Sequence, residues 1–512
     1  IKRALVLSTD ALLIWHFGCY LFVSCILFLL NFQSVMLFNS IDFAIFLPVV
    51  FILYWFVTQR NLRLQNGLIV VASYVFYGWW DWRFLSLLLF SSLVDYTAGL
   101  AMQKEQRQGR RKLYLLLSIF SNLGLLGFFK YYHFFIESFS SAFSFLGMPL
   151  HAGSLQIILP VGISFYTFQS LSYGIDVYRK KLEPTRDPIV FLAFVSFFPQ
   201  LVAGPIERAT HLLPQFKEKR VFDYSKAADG MRQILWGLFK KMVIADNCGQ
   251  FADTIFNHAG NWHGSTLLLG AILFAFQIYC DFSGYSDMAV GLSRLFGFDL
   301  MQNFSFPYFS RNVAEFWRRW HISLSTWFRD YLYIPLGGNK KGKWKTIQNT
   351  VITFLVSGLW HGAHLKYLAW GGLHALYMVP LLLRKKSVKP SGHVTEGLLP
   401  GFREGLGMLL TFLLVVLAWI LFRSNSMADA GHIFREIFSM SLFTLPEVLP
   451  RKILLLLGIF ILLEWLGRRS KYAIEKTGNK WPHWIRWGYF YLIILLIFLE
   501  GGREQPFIYF QF

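Results

Sequence analysis

Apolar stretches of about 17 to 21 residues recur along the whole of this 512-residue chain, and a bilayer core of roughly 30 Å is crossed by about 20 residues of helix. That recurrence sets the fold class: an all-α polytopic membrane protein. Charged residues make up 15% of the chain, against roughly 25% in soluble domains, which excludes an ordinary cytosolic protein. The formal net charge is +20, but the basic residues fall in short clusters between apolar segments. Such clusters mark cytoplasmic loops under the positive-inside bias and offer a surface to anionic membrane lipids, so nucleic acid is not an expected partner. Cys19, Cys25, Cys248 and Cys280 lie in or beside apolar segments without CxxC spacing, which argues for buried small side chains rather than disulfides or zinc.

Residues 1–35 form an extra N-terminal segment, with Lys2 and Arg3 ahead of an apolar run from Leu12 to Phe32. An additional membrane anchor is expected there; a signal peptide and a natural start at Met36 are the alternatives. Residues 36–512 read as a single transmembrane domain. Apolar segments at 43–57, 67–80, 84–101 and 113–132 lead to a stretch, 131–178, that lacks Lys and Arg. The KEQRQGRRK run at 104–112 is the clearest cytoplasmic marker of this region, and the loop near Pro149–Ser154 is expected to face outward. The short segment 189–205, carrying Pro199, breaks the alternation of sides and predicts a re-entrant or broken helix. Residues 231–256, interrupted by Lys240, Lys241 and Asp246, are expected to lie partly in the interface. Asp281 and Asp287 on the long apolar segment 266–296 are costly unless they face the bundle interior or water, either as functional groups or as hydrogen-bonding links between helices. Further segments at 367–383, 406–422, 453–467 and 487–500 bring the expected total to about eleven or twelve crossings, with re-entrant and interfacial helices besides.

The chemistry concentrates in residues 312–362, where EFWRRWHISLSTWFRDYLYIPLGGNKKGKWK runs into a segment ending in SGLWHGAH. Asn312 and Glu315 have capping-box spacing. Trp317, Trp320, Leu324, Phe328 and Tyr331 then recur at helical steps, which predicts one helix ending before Pro335. On it His321 shares a face with Trp317, Leu324, Ser325 and Phe328. Arg318, Arg319, Arg329 and the Lys340–Lys345 cluster are either the polar side of an interfacial helix or an electropositive mouth for the phosphates of an acyl donor. His361 stands twelve residues beyond Asn349, about 18 Å into the bilayer, and His374 lies about 15 Å from the same side. Imidazoles at that depth suit general-base work on a hydroxyl, although His374 also reads as a core histidine. The sequence contains no HxxxxD, GxSxG, GxGxxG, Walker A or HExxH motif.

The stretch EFWRRWHISLSTWFRDYLYIPLGGN, followed by SGLWHGAHLKYLAWGGLHAL, resembles the membrane-bound O-acyltransferase (MBOAT) family, in its bacterial alginate and polysaccharide O-acetylation branch. Residues 36–55, PVGISFYTFQSLSYGIDVYR at 160–179 and the closing PFIYFQF extend the likeness over 36–512. The resemblance implies an MBOAT-like helical bundle with a thin centre, in the bacterial cytoplasmic (inner) membrane. It implies His361 and His321 as the catalytic pair; the reading of the residues adds Trp317, Trp320, Arg318, Arg319, Ser325, Arg329, Trp360, His374, Asp281 and Asp287 as substrate-binding candidates. It further implies acetyl-CoA as a thioester co-substrate, with no bound cofactor or metal, an extracytoplasmic acetyltransferase partner and a polysaccharide acceptor. D-alanyl or other transfer from a carrier-protein thioester, a transporter and an assembly scaffold are the competing readings.

Overall fold

The computed structural model describes residues 36–145, 157–202, 204–383, 397–478, 480–501 and 505–508. Residues 1–35, the loop at Pro149–Ser154 and the basic cluster at 384–389 lie outside the described residues. All regular structure among the described residues is helical. The first half comprises α1 (Ile41–Ile52), α2 (Leu62–Asp81), α3 (Leu85–Lys104), α4 (Gln108–Phe145), α5 (Ile163–Tyr178), α6 (Pro188–Ser196), α7 (Tyr224–Leu238), α8 (Asp246–Asn257) and α9 (Gly264–Leu295). The second comprises α10 (Val313–Arg319), α11 (Ile322–Phe328), α12 (Lys343–His361), α13 (Leu365–Leu383), α14 (Phe402–Arg423), α15 (Met427–Ile437), α16 (Arg451–Gly467) and α17 (His483–Glu500). Five stretches among the described residues are long and apolar enough to cross a membrane: Leu62–Lys104, Gln108–Tyr132, Gly264–Leu295, Phe402–Arg423 and His483–Glu500. Two shorter apolar stretches are Ile41–Val57 and Pro188–Leu201. The protein is a multi-pass, all-helical membrane protein.

Burial sorts these helices. In the most apolar window of α9, 83% of residues are buried inside the protein, against 6% in α17. Helix α9 is therefore the central post, and α17 presents its apolar side outward. Small residues allow α7 to lie directly against the post. A Cβ on Gly237 would come 2.6 Å from the Gly284 carbonyl oxygen, and one on Gly230 2.6 Å from that of Gly291, the close approach by which membrane helices gain packing contacts.

The same face carries charge. Lys240 Nζ lies 2.6 Å from Asp287, and Lys241 Nζ lies 2.8 Å from Asp246 and 2.9 Å from Asp281. Lys241 also donates to the Gln505 carbonyl at 2.9 Å, and Asp281 accepts the Ile508 amide at 2.7 Å, so the triad ties the end of the chain to the post. The expectation that 231–256 lies in the interface is thereby corrected. Lys240, Lys241 and Asp246 are buried, because the lysine ammonium groups and the carboxylates of α9 and α8 compensate one another in place of water.

The broken segment at 189–205 is present. Asp187 caps α6, its Oδ1 accepting from the Ile189 amide at 2.8 Å, with Pro188 in the first turn. The helix breaks at Phe197, and Pro199 opens a further turn, Phe198–Leu201. Polar side chains take up the backbone groups that the break frees. The Phe198 amide donates to Ser73 Oγ at 3.0 Å, and the Phe194 carbonyl accepts from Gln169 Nε2 at 2.8 Å. Gln200 in turn donates to Gln169 Oε1 at 2.8 Å. Irregular backbone is tolerated at such depth only when buried and satisfied in this way.

Removing one member of a buried charge cluster leaves the others uncompensated, which costs about 3–5 kcal/mol. Lys241→Met is expected to lower the thermal unfolding temperature of the detergent-purified protein. Adding Asp246→Asn and Asp281→Asn to it is expected to restore much of the loss; a triple variant no more stable than Lys241→Met would show that the charges do not act as a unit.

Candidate active site at the end of helix α12

Helices α12 and α13 form a hairpin whose tightness comes from two glycines. A Cβ on Gly358 would strike the Tyr367 carbonyl, and one on Gly371 would strike the carbonyl of Phe354. Helix α12 begins at Lys343, in the basic cluster, and its 19 residues span about 28 Å. His361 is its last residue, packed among the rings of Trp360, Trp370 and Phe422 at centroid distances of 4.8, 5.1 and 5.3 Å.

A helix that ends in the protein interior exposes its last carbonyls. Helix α4 supplies the partners. Tyr131 Oη donates to the Leu359 carbonyl and Lys130 Nζ to the Trp360 carbonyl, each at 2.7 Å, while the Gly362 amide closes on Gly358. A cation at this end is also favoured by the helix dipole.

The single helix expected over 312–334 is broken. Its start is as expected, with Asn312 Oδ1 accepting the Glu315 amide at 2.9 Å. Helix α10 then stops at Arg319, Trp320 is extended, and α11 resumes at Ile322. His321 sits between them in the left-handed region, at φ 43° and ψ 56°, where histidine is found more often than most non-glycine residues. The irregular chain at 303–305 holds the break open. The Ile322 amide donates to the Asn303 carbonyl at 2.8 Å, and the Ser305 amide to the Arg319 carbonyl at 2.9 Å. Asn303 Oδ1 also accepts from Ser323 Oγ at 2.9 Å and lies 3.1 Å from His321 Nδ1. His321 is thereby turned inward, where its ring packs on Phe282 at 4.6 Å and faces Trp360 at 6.0 Å. The Trp360 ring thus touches both imidazoles.

Two spaces lie near this point. A cleft of about 1040 Å³ runs between α10–α11 and the α12–α13 hairpin, lined by Arg318, Arg329 and Lys343 at its basic end, by Trp317 and Ser325 along its wall, and by Ser357, one turn before His361. A separate cavity of about 300 Å³ is lined by Trp80, Lys130, Pro160, Ser164, Phe165, Trp360 and His361. The cavity reaches Trp360 and His361 themselves, whereas the cleft comes as near as Ser357 and has neither imidazole in its lining.

The remaining candidates are placed elsewhere. Arg319 pairs with Glu315 at 2.8 Å and donates to the Ser305 carbonyl, outside the lining of the cleft. Trp320 is buried against Tyr279, Tyr308 and Trp419. His374 accepts from Trp317 Nε1 at 3.3 Å within a cage of Phe316, Phe354, Trp370 and Tyr377, a core histidine that positions a wall residue of the cleft. Asp281 belongs to the buried triad, whereas Asp287, with Asn303, lines a polar cavity of about 230 Å³. Sequence reasoning missed Lys130, Tyr131 and Asn303. A lysine late in an apolar run is a signal in itself, but its acceptor is a carbonyl 230 residues away, and Asn303 lies in an irregular stretch without periodicity.

Comparison with known proteins finds matches over most of the chain. The sequence model of "MBOAT, membrane-bound O-acyltransferase family" matches residues 75–395. The probable alginate O-acetylase AlgI of Pseudomonas putida is 37% identical over 501 residues, covering 93% of this chain and all of that protein. The peptidoglycan O-acetyltransferase of Helicobacter pylori is 35% identical over 437 residues, with 80% of each chain covered. A teichoic acid D-alanyltransferase of Streptococcus thermophilus is 29% identical over 300 residues, covering 54% of this chain and 70% of its own.

The α12–α13 hairpin aims His361, so its contact should not tolerate a methyl group. Gly358→Ala is expected to destabilise the purified protein by about 1–3 kcal/mol through overpacking, read as a lower unfolding temperature. Gly372→Ala is the control, because its added Cβ would meet only Leu355 at 3.8 Å; equal losses in both variants would sink the close-contact account.

Proposed function

The chain belongs to the membrane-bound O-acyltransferase family and is an O-acyltransferase; on that premise we propose that it moves an acetyl group from a cytoplasmic thioester, acetyl-CoA, for O-acetylation of an extracytoplasmic polysaccharide such as alginate. The acetyl group reaches the polymer through a partner acetyltransferase on the far side of a bacterial inner membrane. The observation that carries this reading is the position of His361, in the wall of a cavity and one turn beyond Ser357, which lines a cleft that also bears Arg318, Arg329 and Lys343. The fuller coverage by O-acetylase relatives favours acetyl over D-alanyl as the group carried.

In the proposed step the acceptor hydroxyl oxygen attacks the thioester carbonyl carbon while His361 takes the hydroxyl proton. The carbon–sulfur bond breaks, and the proton passes to the departing thiolate, leaving an ester and a free thiol. His321, fixed by Asn303, orients the reacting groups across the Trp360 ring. Arg318 and Arg329 hold the donor's phosphates at the mouth, where guanidinium groups bind phosphate oxygens in pairs.

Transfer of radiolabelled acetyl from acetyl-CoA by the reconstituted protein tests the reading. His361→Ala is expected to slow transfer by about 10²–10⁴-fold, the usual contribution of a general base, with the amount of folded, inserted protein unchanged. Full transfer by that variant would remove His361 from the mechanism. Replacing Arg318 and Arg329 together by Ala is expected to raise KM for acetyl-CoA about tenfold or more, from lost charged hydrogen bonds. KM for an acetyl thioester lacking phosphates should stay the same; a parallel rise would mean that the arginines serve the fold.

A further inference from the structure

Lys130 is used above only as a helix cap, yet its placement exceeds that task. Its Nζ gives one hydrogen bond, to the Trp360 carbonyl, and stands 5.7 Å from the Trp360 ring centroid. An ammonium group has three donors, so two remain beyond the cap. The same side chain lines the 300 Å³ cavity together with His361. Among the described residues no carboxylate lies within ion-pairing distance of it. Elsewhere in the interior Lys240 and Lys241 are each matched by aspartates. A cation held at depth without a counter-charge is costly, and one carbonyl needs no full charge to cap it, as Tyr131 shows by serving the neighbouring carbonyl with a neutral hydroxyl.

We propose that Lys130 is the anion-stabilising residue of the cavity, holding a negatively charged oxygen beside His361. This rests on the acyl-transfer reading above and adds a further catalytic residue to it. The charged oxygen has two sources. One is the oxyanion on the thioester carbonyl carbon after the hydroxyl has added and before the carbon–sulfur bond breaks, where a preorganised donor in a dry site acts most strongly. The other is a carboxylate on the acceptor itself, bound before reaction.

The experiment compares wild type, Lys130→Gln and Lys130→Arg as full-length protein in liposomes, normalised to folded protein. Gln keeps an N–H donor for the Trp360 carbonyl but removes the charge; Arg keeps both. Acetyl-CoA hydrolysis, which has water as acceptor, is measured beside transfer to a uronate oligosaccharide and to its neutral methyl ester, each offered directly as hydroxyl acceptor in place of the partner. For the oxyanion source, Lys130→Gln is expected to slow hydrolysis and both transfers at least tenfold in kcat, with acceptor KM unchanged. For the carboxylate source, it is expected to raise KM for the uronate at least tenfold while hydrolysis and the methyl ester stay within twofold. Lys130→Arg should recover part of either loss. The proposal is overturned if Lys130→Gln matches wild type within twofold in all three assays, or if its only effect is less folded protein. Should Gln prevent folding, Lys130→Arg decides: within tenfold of wild type in every assay supports the role of charge, and a larger loss overturns it. Failure of the wild type to move acetyl from acetyl-CoA at all would strike the functional reading instead.

Discussion

A helix that stops inside a protein of the bilayer has nowhere to send its last carbonyl groups, and most of this architecture follows from how α12 solves that problem. Its final residues carry Trp360 and His361, and the carbonyls around them are taken by Tyr131 and Lys130 of α4. Without those partners the end of α12 would have to fray or lengthen, and His361 would leave the wall of the cavity. The glycine contacts with α13 fix the remaining freedom of the hairpin. The placement of one imidazole is thus shared by the consecutive helices α12 and α13 and by α4, which lies some 230 residues away in sequence.

The same problem is solved twice more, each time with side chains borrowed from elsewhere. At Phe197 the broken helix is satisfied by Ser73 and Gln169; at Trp320–His321 it is satisfied by the 303–305 chain and the Asn303 amide. Breaks of this kind cost backbone hydrogen bonds that water cannot repay at depth. They persist where the gain is positional: the break at His321 turns its ring out of the helix face it would otherwise share with Trp317 and Leu324, and toward Trp360.

Charge is handled by a different rule. Asp281 and Asp287 are unusual on an apolar helix, but each meets a lysine from the π-helical turn between α7 and α8, and the first also anchors the end of the chain. Arg319 is absorbed by Glu315 in the same way. Arg318, Arg329 and Lys130 instead line the two spaces beside the α12–α13 hairpin.

Much was legible in the sequence because it depends on local pattern. Apolar length gave the membrane class, the Asn312 cap and the Pro199 interruption marked real boundaries, and the motifs around His321 and His361 resembled a family that the comparisons then established. Local pattern failed where the deciding partner lies far along the chain. The periodicity of 312–334 predicts a continuous helix, since nothing nearby reveals that Asn303 and Ser305 will compete for its backbone. Lys240 and Lys241 read as interfacial because, apart from the nearby Asp246, their carboxylates Asp281 and Asp287 sit 40 residues on or more, across a helix pair. The sequence by itself determined the all-helical membrane class and which residues are candidates for chemistry, because hydrophobic length and side-chain type are properties of a segment alone. Only the tertiary structure decided which of those residues share a cavity, because that depends on hydrogen bonds and close contacts between segments that no single stretch encodes.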